Sequence, residues 1–218
     1  MILYCVRHGE SQYNATGRIQ GQLDIPLSEL GQRQGDAAAE ALKDRQIEAI
    51  FSSPLQRALH TAHRIGKALN LEVQVDDRLM EINAGVFQGL NWEEIETSHP
   101  VDSLLWKTHD PDFIIPQGES RRQLMQRGRE VLEEIATGSH KRVAVVAHGG
   151  LLTAAMKALL DIPAARNPFS LLNCSISQIS IEPETSAPPS SRVRLMSLNE
   201  SAHLAVVNNG KPIHSGDL

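Results

Sequence analysis

Near its start the chain reads Ile2-Leu3-Tyr4-Cys5-Val6-Arg7-His8-Gly9-Glu10-Ser11, an apolar run that stops abruptly at charged residues and glycine. A short apolar run rich in β-forming residues and bounded by a turn signal is typical of a strand buried on both faces. The pattern returns at Val143–Ala147, which His148, Gly149 and Gly150 follow. The sequence therefore predicts two buried strands, each of which ends in a histidine beside a glycine.

Helix and strand signals alternate after the first strand. Ser28 is typical of a helix N-cap and predicts a helix to about Asp44. Ile47–Phe51 predicts a second strand. In the segment 53–56, serine stands at the cap, proline at the first helical position and glutamine at the third. This pattern predicts a capping box that opens a helix to about Asn70.

The rest of the chain continues the alternation. We expect strands at 71–75 and 143–147 and helices that begin at Ser120 and at Leu151. Segments 175–181 and 193–198 are expected to pair as a hairpin across the proline- and serine-rich residues 183–191, which we expect to be mobile.

Alternating strands and helices predict an α/β fold, here a three-layer α/β/α sandwich with a mostly parallel central sheet. We expect one domain over residues 1–218. Residues 82–118 hold both tryptophans and are predicted to form a small lid that sets substrate specificity, and residues 199–218 are predicted to form a tail.

Composition excludes several classes of partner. The 218 residues carry a formal net charge of −5, which disfavours binding to nucleic acid or to an anionic membrane. The longest apolar runs are too short to cross a bilayer. The two cysteines, Cys5 and Cys174, lie in apolar runs and indicate packing in a reducing compartment, so we expect a cytoplasmic protein.

The strand ends carry the candidate chemistry. Ligands of open parallel sheets bind beyond the carboxyl ends of the strands, where His8 and His148 are expected. Arg7 and Arg57 add guanidinium groups, and the helix that carries Arg57 offers its N-terminus to an anion. These groups predict a phosphate pocket without a metal or a cofactor, and they favour nucleophilic catalysis through a phosphohistidine. Glu81 is the candidate proton donor.

Six motifs, in their order along the chain, resemble those of the histidine phosphatase superfamily, the phosphoglycerate-mutase-like proteins. The resemblance covers Met1 to about Leu198 and rests on residues 7–11 with Asn14, 21–27, 52–62, Glu81 with Gly85 and Gly89, 118–120, and 148–150. Position in the chain alone leaves open which histidine attacks phosphorus.

The resemblance implies a role for each matching residue. His8 is implied to be the phosphorylated nucleophile, and Glu81 the proton donor. The implied phosphate-binding residues are Arg7, Asn14, Arg57, His148 and Gly149. We further expect Gln20, Gly21 and Trp106 on the substrate side of the site, and we expect no metal.

The superfamily contains phosphatases, bisphosphatases and mutases. The mutases of this superfamily have a Glu-Arg-His-Tyr-Gly pattern around the acid. This chain has Glu81-Ile82-Asn83-Ala84-Gly85 and lacks the arginine and histidine of that pattern. The lid holds six acids against one base, so we expect it to repel a second acidic group on the substrate. We therefore predict a monoester phosphatase for a small phosphorylated metabolite.

Several alternatives stay open. A phosphoglycerate mutase is one, a bisphosphatase that uses Arg18, Arg78, Arg121 or Arg122 for a second phosphate is another, and a non-catalytic phosphate-binding relative is the third. Phosphoserine, phosphoglycerate derivatives, sugar phosphates and α-ribazole phosphate all fit as substrates. Because members of the family are often dimers, the resemblance also implies a possible homodimer.

Overall fold

A six-stranded sheet lies at the centre of the computed structural model, which describes residues 1–165, 167–182 and 192–207. The strands are β1 (Ile2–Arg7), β2 (Ala49–Ser52), β3 (Val73–Val75), β4 (Arg142–Ala147), β5 (Ile176–Ile181) and β6 (Val193–Glu200). Their order across the sheet is β3-β2-β4-β1-β5-β6. The first four are parallel to one another, and β5 and β6 form an antiparallel edge. The predicted mostly parallel sheet and the pairing of β5 with β6 are confirmed.

Seven helices accompany the sheet in the described part of the chain. They are α1 (Gln12–Thr16), α2 (Glu29–Leu42), α3 (Gln56–Leu69), α4 (Trp92–Ser98), α5 (Pro100–Lys107), α6 (Arg121–Thr137) and α7 (Gly149–Leu159). Ser28 caps α2 as predicted, because its hydroxyl accepts a hydrogen bond from the N–H of Gly31. Of the helices described, none is long and apolar enough to cross a membrane.

Helices cover both faces of the sheet. Side chains alternate between the faces along a strand, so Leu3 and Cys5 join a core with α6 and α7, whereas Tyr4 and Val6 join a second core with α2 and α3. This arrangement confirms the predicted α/β/α layers. Part of the lid segment 82–118 packs into the α6–α7 core, where Phe87 and Trp106 are buried, whereas Val101, Leu104 and Ile114 are exposed.

Helix α3 does not begin with the predicted capping box. Its N-cap is Leu55, without a side-chain cap of its own. Asp24, from a distant loop, accepts hydrogen bonds from the backbone N–H of Gln56 at 2.7 Å and from its side chain at 2.9 Å. Ser53 directly follows β2 and is fully buried, and its hydroxyl accepts from the N–H of Leu55 at 3.3 Å and lies 2.8 Å from Nε2 of His148. Residues 54 and 55 bend the chain out of the sheet, so helix α3 starts later than predicted.

The predicted tail begins too early. Strand β6 continues to Glu200, and a 3₁₀ turn follows at Ala202–Leu204. Leu204 is fully buried in the α2–α3 core, so one apolar side chain anchors this otherwise polar segment. The predictions for residues 183–191 and 208–218 lie outside the described residues.

Candidate active site

The carboxyl ends of β1 and β4 bring the two predicted histidines together. These strands are parallel neighbours, and the register pairs Arg7 with Ala147. The backbone N–H of His8 then donates to the carbonyl of Ala147 at 2.9 Å. The two imidazole rings lie 5.1 Å apart between centroids, and neither side chain is more than 2% exposed.

The hydrogen bonding of His8 leaves one ring nitrogen available. Its Nδ1 lies 2.6 Å from the carbonyl oxygen of Gly9. Because a carbonyl oxygen only accepts, Nδ1 carries the proton and Nε2 keeps its lone pair. Burial, helped by Arg57 and Arg7, lowers the pKa of His8 well below its usual range. The ring is therefore neutral at pH 7, which is the nucleophilic form.

His148 is neutral for the same reasons. Burial is the largest cause that lowers its pKa well below the usual range, and Arg57 is the next. Its Nε2 lies 2.8 Å from the hydroxyl of Ser53. Ser53 is thus a site residue that sequence reasoning assigned to a helix cap.

Two buried arginines flank the histidines. Arg57 is fully buried, and its Nη1 and Nη2 donate to the carbonyls of Leu23 and Gly21, each at 2.7 Å. Arg7 is 1% exposed and donates to the carbonyl of Leu171 at 2.6 Å. Burial lowers the pKa of Arg57 to about 10, so the guanidinium still carries its charge at pH 7.

Three nitrogen atoms of the predicted phosphate-binding set have no partner. Asn14 Nδ2, Arg57 Nε and His148 Nδ1 are buried and make no hydrogen bond to any described residue. Buried polar atoms are normally paired, because an unpaired one costs free energy. A bound anion with several acceptor oxygens, such as a phosphate, fits this group of nitrogens.

Glu81 faces the same cavity as His8 and Arg57. Its carboxylate accepts from the backbone N–H groups of Ile82 at 2.8 Å, Leu151 at 2.9 Å and Gly150 at 3.0 Å, the last two in the first turn of α7. A Cβ at Gly150 would lie 2.5 Å from Oε1 of Glu81. The second glycine after His148 therefore makes room for the carboxylate.

Arg127 on α6 holds the loop that carries Glu81. It donates to the carbonyls of Arg78 and Met80, both at 2.7 Å, and of Glu81 at 3.3 Å. It also forms an ion pair of 2.6 Å with Glu119. Sequence reasoning missed Arg127, since a basic residue in an amphipathic helix carries no local sign of such contacts.

The other predicted site residues divide into two groups. Gln20, Gly21 and Trp106 line the cavity, although Trp106 is only 4% exposed and belongs mainly to the core. Gly149 is not part of the cavity lining, whereas Gly150 is. In the described ranges, no cluster of three or more His, Cys, Asp or Glu is arranged to hold a metal ion.

The charges of the lid differ from the expectation. None of its six acids lines the cavity. Glu94 pairs with Arg18 at 2.8 Å, Asp112 pairs with Arg122 at 2.5 Å, and Glu96 pairs with a lysine, all at the surface. The lining of the cavity gives no support to the expected repulsion of a second acidic group, because none of the six acids reaches it and three of them are paired at the surface. Of the four arginines considered for a second phosphate, only Arg121 lines the cavity.

A family model described as histidine phosphatase superfamily (branch 1) matches residues 3–189. The chain belongs to the histidine phosphatase superfamily. This histidine phosphatase is 40% identical over 189 residues to a glucosyl-3-phosphoglycerate phosphatase of Mycobacterium tuberculosis, a match that covers 82% of this chain and 84% of the relative. It is 39% identical over 182 residues to a probable phosphoglycerate mutase, GpmB, of Proteus mirabilis, covering 81% and 83%.

A solved structure supports the same family. The mycobacterial glucosyl-3-phosphoglycerate phosphatase in complex with VO3 superposes with a TM-score of 0.80 at 39% identity, over 92% of this chain and 99% of that one. Both the predicted family and the predicted fold are thus confirmed. The phosphatase prediction agrees with relatives that carry phosphatase names.

Proposed function

We propose that the chain is a phosphomonoester hydrolase that acts on a small phosphorylated metabolite through a phosphohistidine. One observation carries the proposal: a neutral His8 with a free Nε2 shares its site with two buried guanidinium groups, and Asn14 Nδ2 and His148 Nδ1 are buried there without a hydrogen bond to any described residue. The phosphatase names of the relatives support it.

The residues suggest a two-step reaction. In the first step Nε2 of His8 attacks phosphorus in line, the bond from phosphorus to the ester oxygen breaks, and that oxygen takes a proton from Glu81. In the second step water attacks phosphorus, the bond from phosphorus to Nε2 of His8 breaks, Glu81 takes a proton from that water, and inorganic phosphate leaves. Arg7, Arg57 and His148 stabilise the charge on the non-bridging oxygens.

The remaining predicted site residues are proposed to contact the phosphoryl group or the leaving group. Asn14 adds a hydrogen bond to the phosphoryl group, and Gly149 starts the helix beside it. Gln20, Gly21 and Trp106 contact the leaving group. Catalysis is proposed to need no metal and no cofactor.

Phosphate release from p-nitrophenyl phosphate between pH 5 and 9, with a chelator present, tests the proposal. Wild type should release phosphate and His8→Ala should lose at least about 1,000-fold in kcat, because no nucleophile replaces the imidazole. His60→Ala, which changes an exposed histidine on α3, is the matched control and should behave as wild type. Equal activity of His8→Ala and wild type would remove His8 from the reaction.

A phosphoglycerate mutase is the second candidate, because one relative carries that name. The segment from Glu81 to Gly85 lacks the basic pair of the mutase pattern. We expect phosphate release without any bisphosphorylated primer. Conversion of 3-phosphoglycerate to its 2-isomer that depends on such a primer would instead favour the mutase.

We also propose that this single-domain chain works in the cytoplasm without nucleic acid, consistent with its net charge of −5 and its two buried free thiols. A homodimer stays a prediction. Light scattering on the purified chain measures its mass directly.

A further inference from the structure

Besides Arg57, two further cations line the cavity that also contains His8. Arg121 is the first residue of α6, and Lys157 lies near the end of α7. Lys157 is only 5% exposed. Neither residue belongs to the phosphate-binding set, so their charges need a separate explanation.

The guanidinium of Arg121 is half-buried and forms no ion pair with any residue that the structure describes. It lies over the ring of Trp106, 3.2 Å from the centroid, and its Nη2 donates to the carbonyl of Trp106 at 3.2 Å. Its Nη1 is buried and makes no hydrogen bond to any residue the structure describes. Asp110 is the acid that acts on Arg121 electrostatically, and no ion pair joins the two in the described ranges. One edge of the guanidinium is therefore available to a ligand.

The position of Arg121 on its helix is also unfavourable. The N-terminus of a helix carries partial positive charge, and a cation there is repelled. Arg121 stands at the first position of a helix of 17 residues. A half-buried cation without an ion pair at this end is costly for the free chain, and a bound anion would offset the cost.

Lys157 is also a cation that forms no ion pair with any described residue. Its ammonium donates to the carbonyl of Ala164 at 2.8 Å, which leaves further N–H groups available. Burial and the charge of Arg121 lower its pKa, so the two cations act on each other. Like charges in a half-desolvated cavity repel each other strongly unless an anion lies between them.

We propose that Arg121 and Lys157 form a subsite for a carboxylate of the substrate, so that the preferred substrates are phosphomonoesters that also carry a carboxylate. This inference rests on the proposed function. One guanidinium edge and one ammonium match the two oxygens of a carboxylate. A second phosphate has a third oxygen and a larger charge than a carboxylate. Ile82, Leu124 and Met125 line the cavity as well and suit a short carbon skeleton.

Two esters with the same carbon skeleton test the subsite. Of these, 3-phosphoglycerate carries a carboxylate where glycerol 3-phosphate carries a hydroxymethyl group. Wild type should have the larger kcat/KM for 3-phosphoglycerate. In Arg121→Gln and Lys157→Met the ratio of the two kcat/KM values should fall by about 10- to 100-fold, since hydrogen bonds to charged groups have that weight. The fall should lie mainly in KM.

Arg122→Gln is the matched control, because Arg122 is the next residue on the same helix and pairs with Asp112 at the surface. It should keep the wild-type ratio. A ratio within twofold of wild type in both Arg121→Gln and Lys157→Met would overturn the proposal. A greater loss for fructose 1,6-bisphosphate, which has no carboxylate, than for 3-phosphoglycerate would overturn it in favour of a second-phosphate site.

Binding separates this proposal from the proposed function. Calorimetry with the His8→Ala protein measures the Kd of both esters without turnover. Weaker binding of 3-phosphoglycerate after the added change Arg121→Gln supports the subsite even if wild type releases no phosphate. Equal binding of both esters, with and without Arg121→Gln, would contradict the subsite even in an active phosphatase.

Discussion

The imidazole rings of His8 and His148 lie 5.1 Å apart, with their planes tilted by 59°. The register between β1 and β4 explains this, because it places Arg7 opposite Ala147 and so makes the next residue of each strand a neighbour. Each ring is fixed by a different partner: Gly9 for His8 and Ser53 for His148. The proposed nucleophile, His8, is thereby oriented before any substrate binds.

If Glu81 donates the proton, its importance should depend on the leaving group. Glu81→Gln should lower kcat by about 100- to 1,000-fold for an alkyl phosphate, whose alkoxide needs a proton. For p-nitrophenyl phosphate, whose leaving group is stable as an anion, the loss should be below about 10-fold. Steady-state rates on both esters measure this. Exposed Glu93→Gln is the control, and equal losses on both esters would remove Glu81 from the acid role.

Arg127 should act only through the loop that carries Glu81. Arg127→Met removes the donors to the carbonyls of Arg78, Met80 and Glu81, so the carboxyl group should lose its fixed position. We expect kcat for an alkyl phosphate to fall about 10-fold with a smaller change for p-nitrophenyl phosphate. Arg127→Lys should restore part of the loss.

Arg129→Met is the control for Arg127, since Arg129 lies on the same helix and pairs with Glu133. It should leave the leaving-group dependence as in wild type. A loss in Arg127→Met that is the same for both esters would point to a general structural role.

Gly150→Ala should mimic the loss of Glu81 without unfolding the protein. The added methyl carbon would lie 2.5 Å from Oε1 of Glu81, at the end of a flexible side chain that moves away. Alanine stabilises a helix relative to glycine by about 0.5–1 kcal/mol, which offsets part of the lost hydrogen bonding. We expect the rate profile of Glu81→Gln with a Tm close to wild type. Full activity on alkyl phosphates would contradict the placement of Glu81.

The two buried histidines should make the fold sensitive to acid. Burial lowers the pKa of His8 and of His148 well below 6.5, so below pH 6.5 the unfolded chain binds protons that the native chain does not. Stability therefore rises with pH in that window and falls as the pH drops from about 6.5 toward the native pKa values. Each unit of pKa difference contributes about 1.4 kcal/mol.

Urea unfolding at pH 5 and pH 7.5 measures this sensitivity. His8→Gln removes one of the two titrating groups, so the difference in unfolding free energy between the two pH values should become smaller than in wild type. The comparison of variant and wild type at pH 7.5 alone reports the packing change. An unchanged difference would show that His8 does not resist protonation in the native state.

Local patterns predicted the strand ends, and with them the histidines. Apolar runs that stop at glycine mark where β1 and β4 end, and parallel neighbours must end on the same side. The contacts of Ser53, Arg127 and Arg121 join distant parts of the chain and leave no local pattern. Ser53 resembles a helix cap by spacing, yet its hydroxyl contacts His148.

The composition of the lid segment led to an expectation about the charges that line the cavity which the structure does not support. The lid is strongly acidic, but counting its charges does not tell which way they point, and the ion pair of Glu94 with Arg18 faces outward. The cations that line the cavity, Arg57, Arg121 and Lys157, come from α3, α6 and α7 instead. A charge balance for a segment thus predicts little about the lining of the site beneath it.

The proposed function depends above all on the formation of a phosphohistidine on His8. Rapid mixing with a ³²P-labelled phosphomonoester, followed by quenching in base, measures it directly. Wild-type protein should carry label that survives base, is released by acid and maps to the peptide with His8. The His8→Asn protein should carry no such label. Turnover without such label, or label that persists in His8→Asn, would contradict the proposed function.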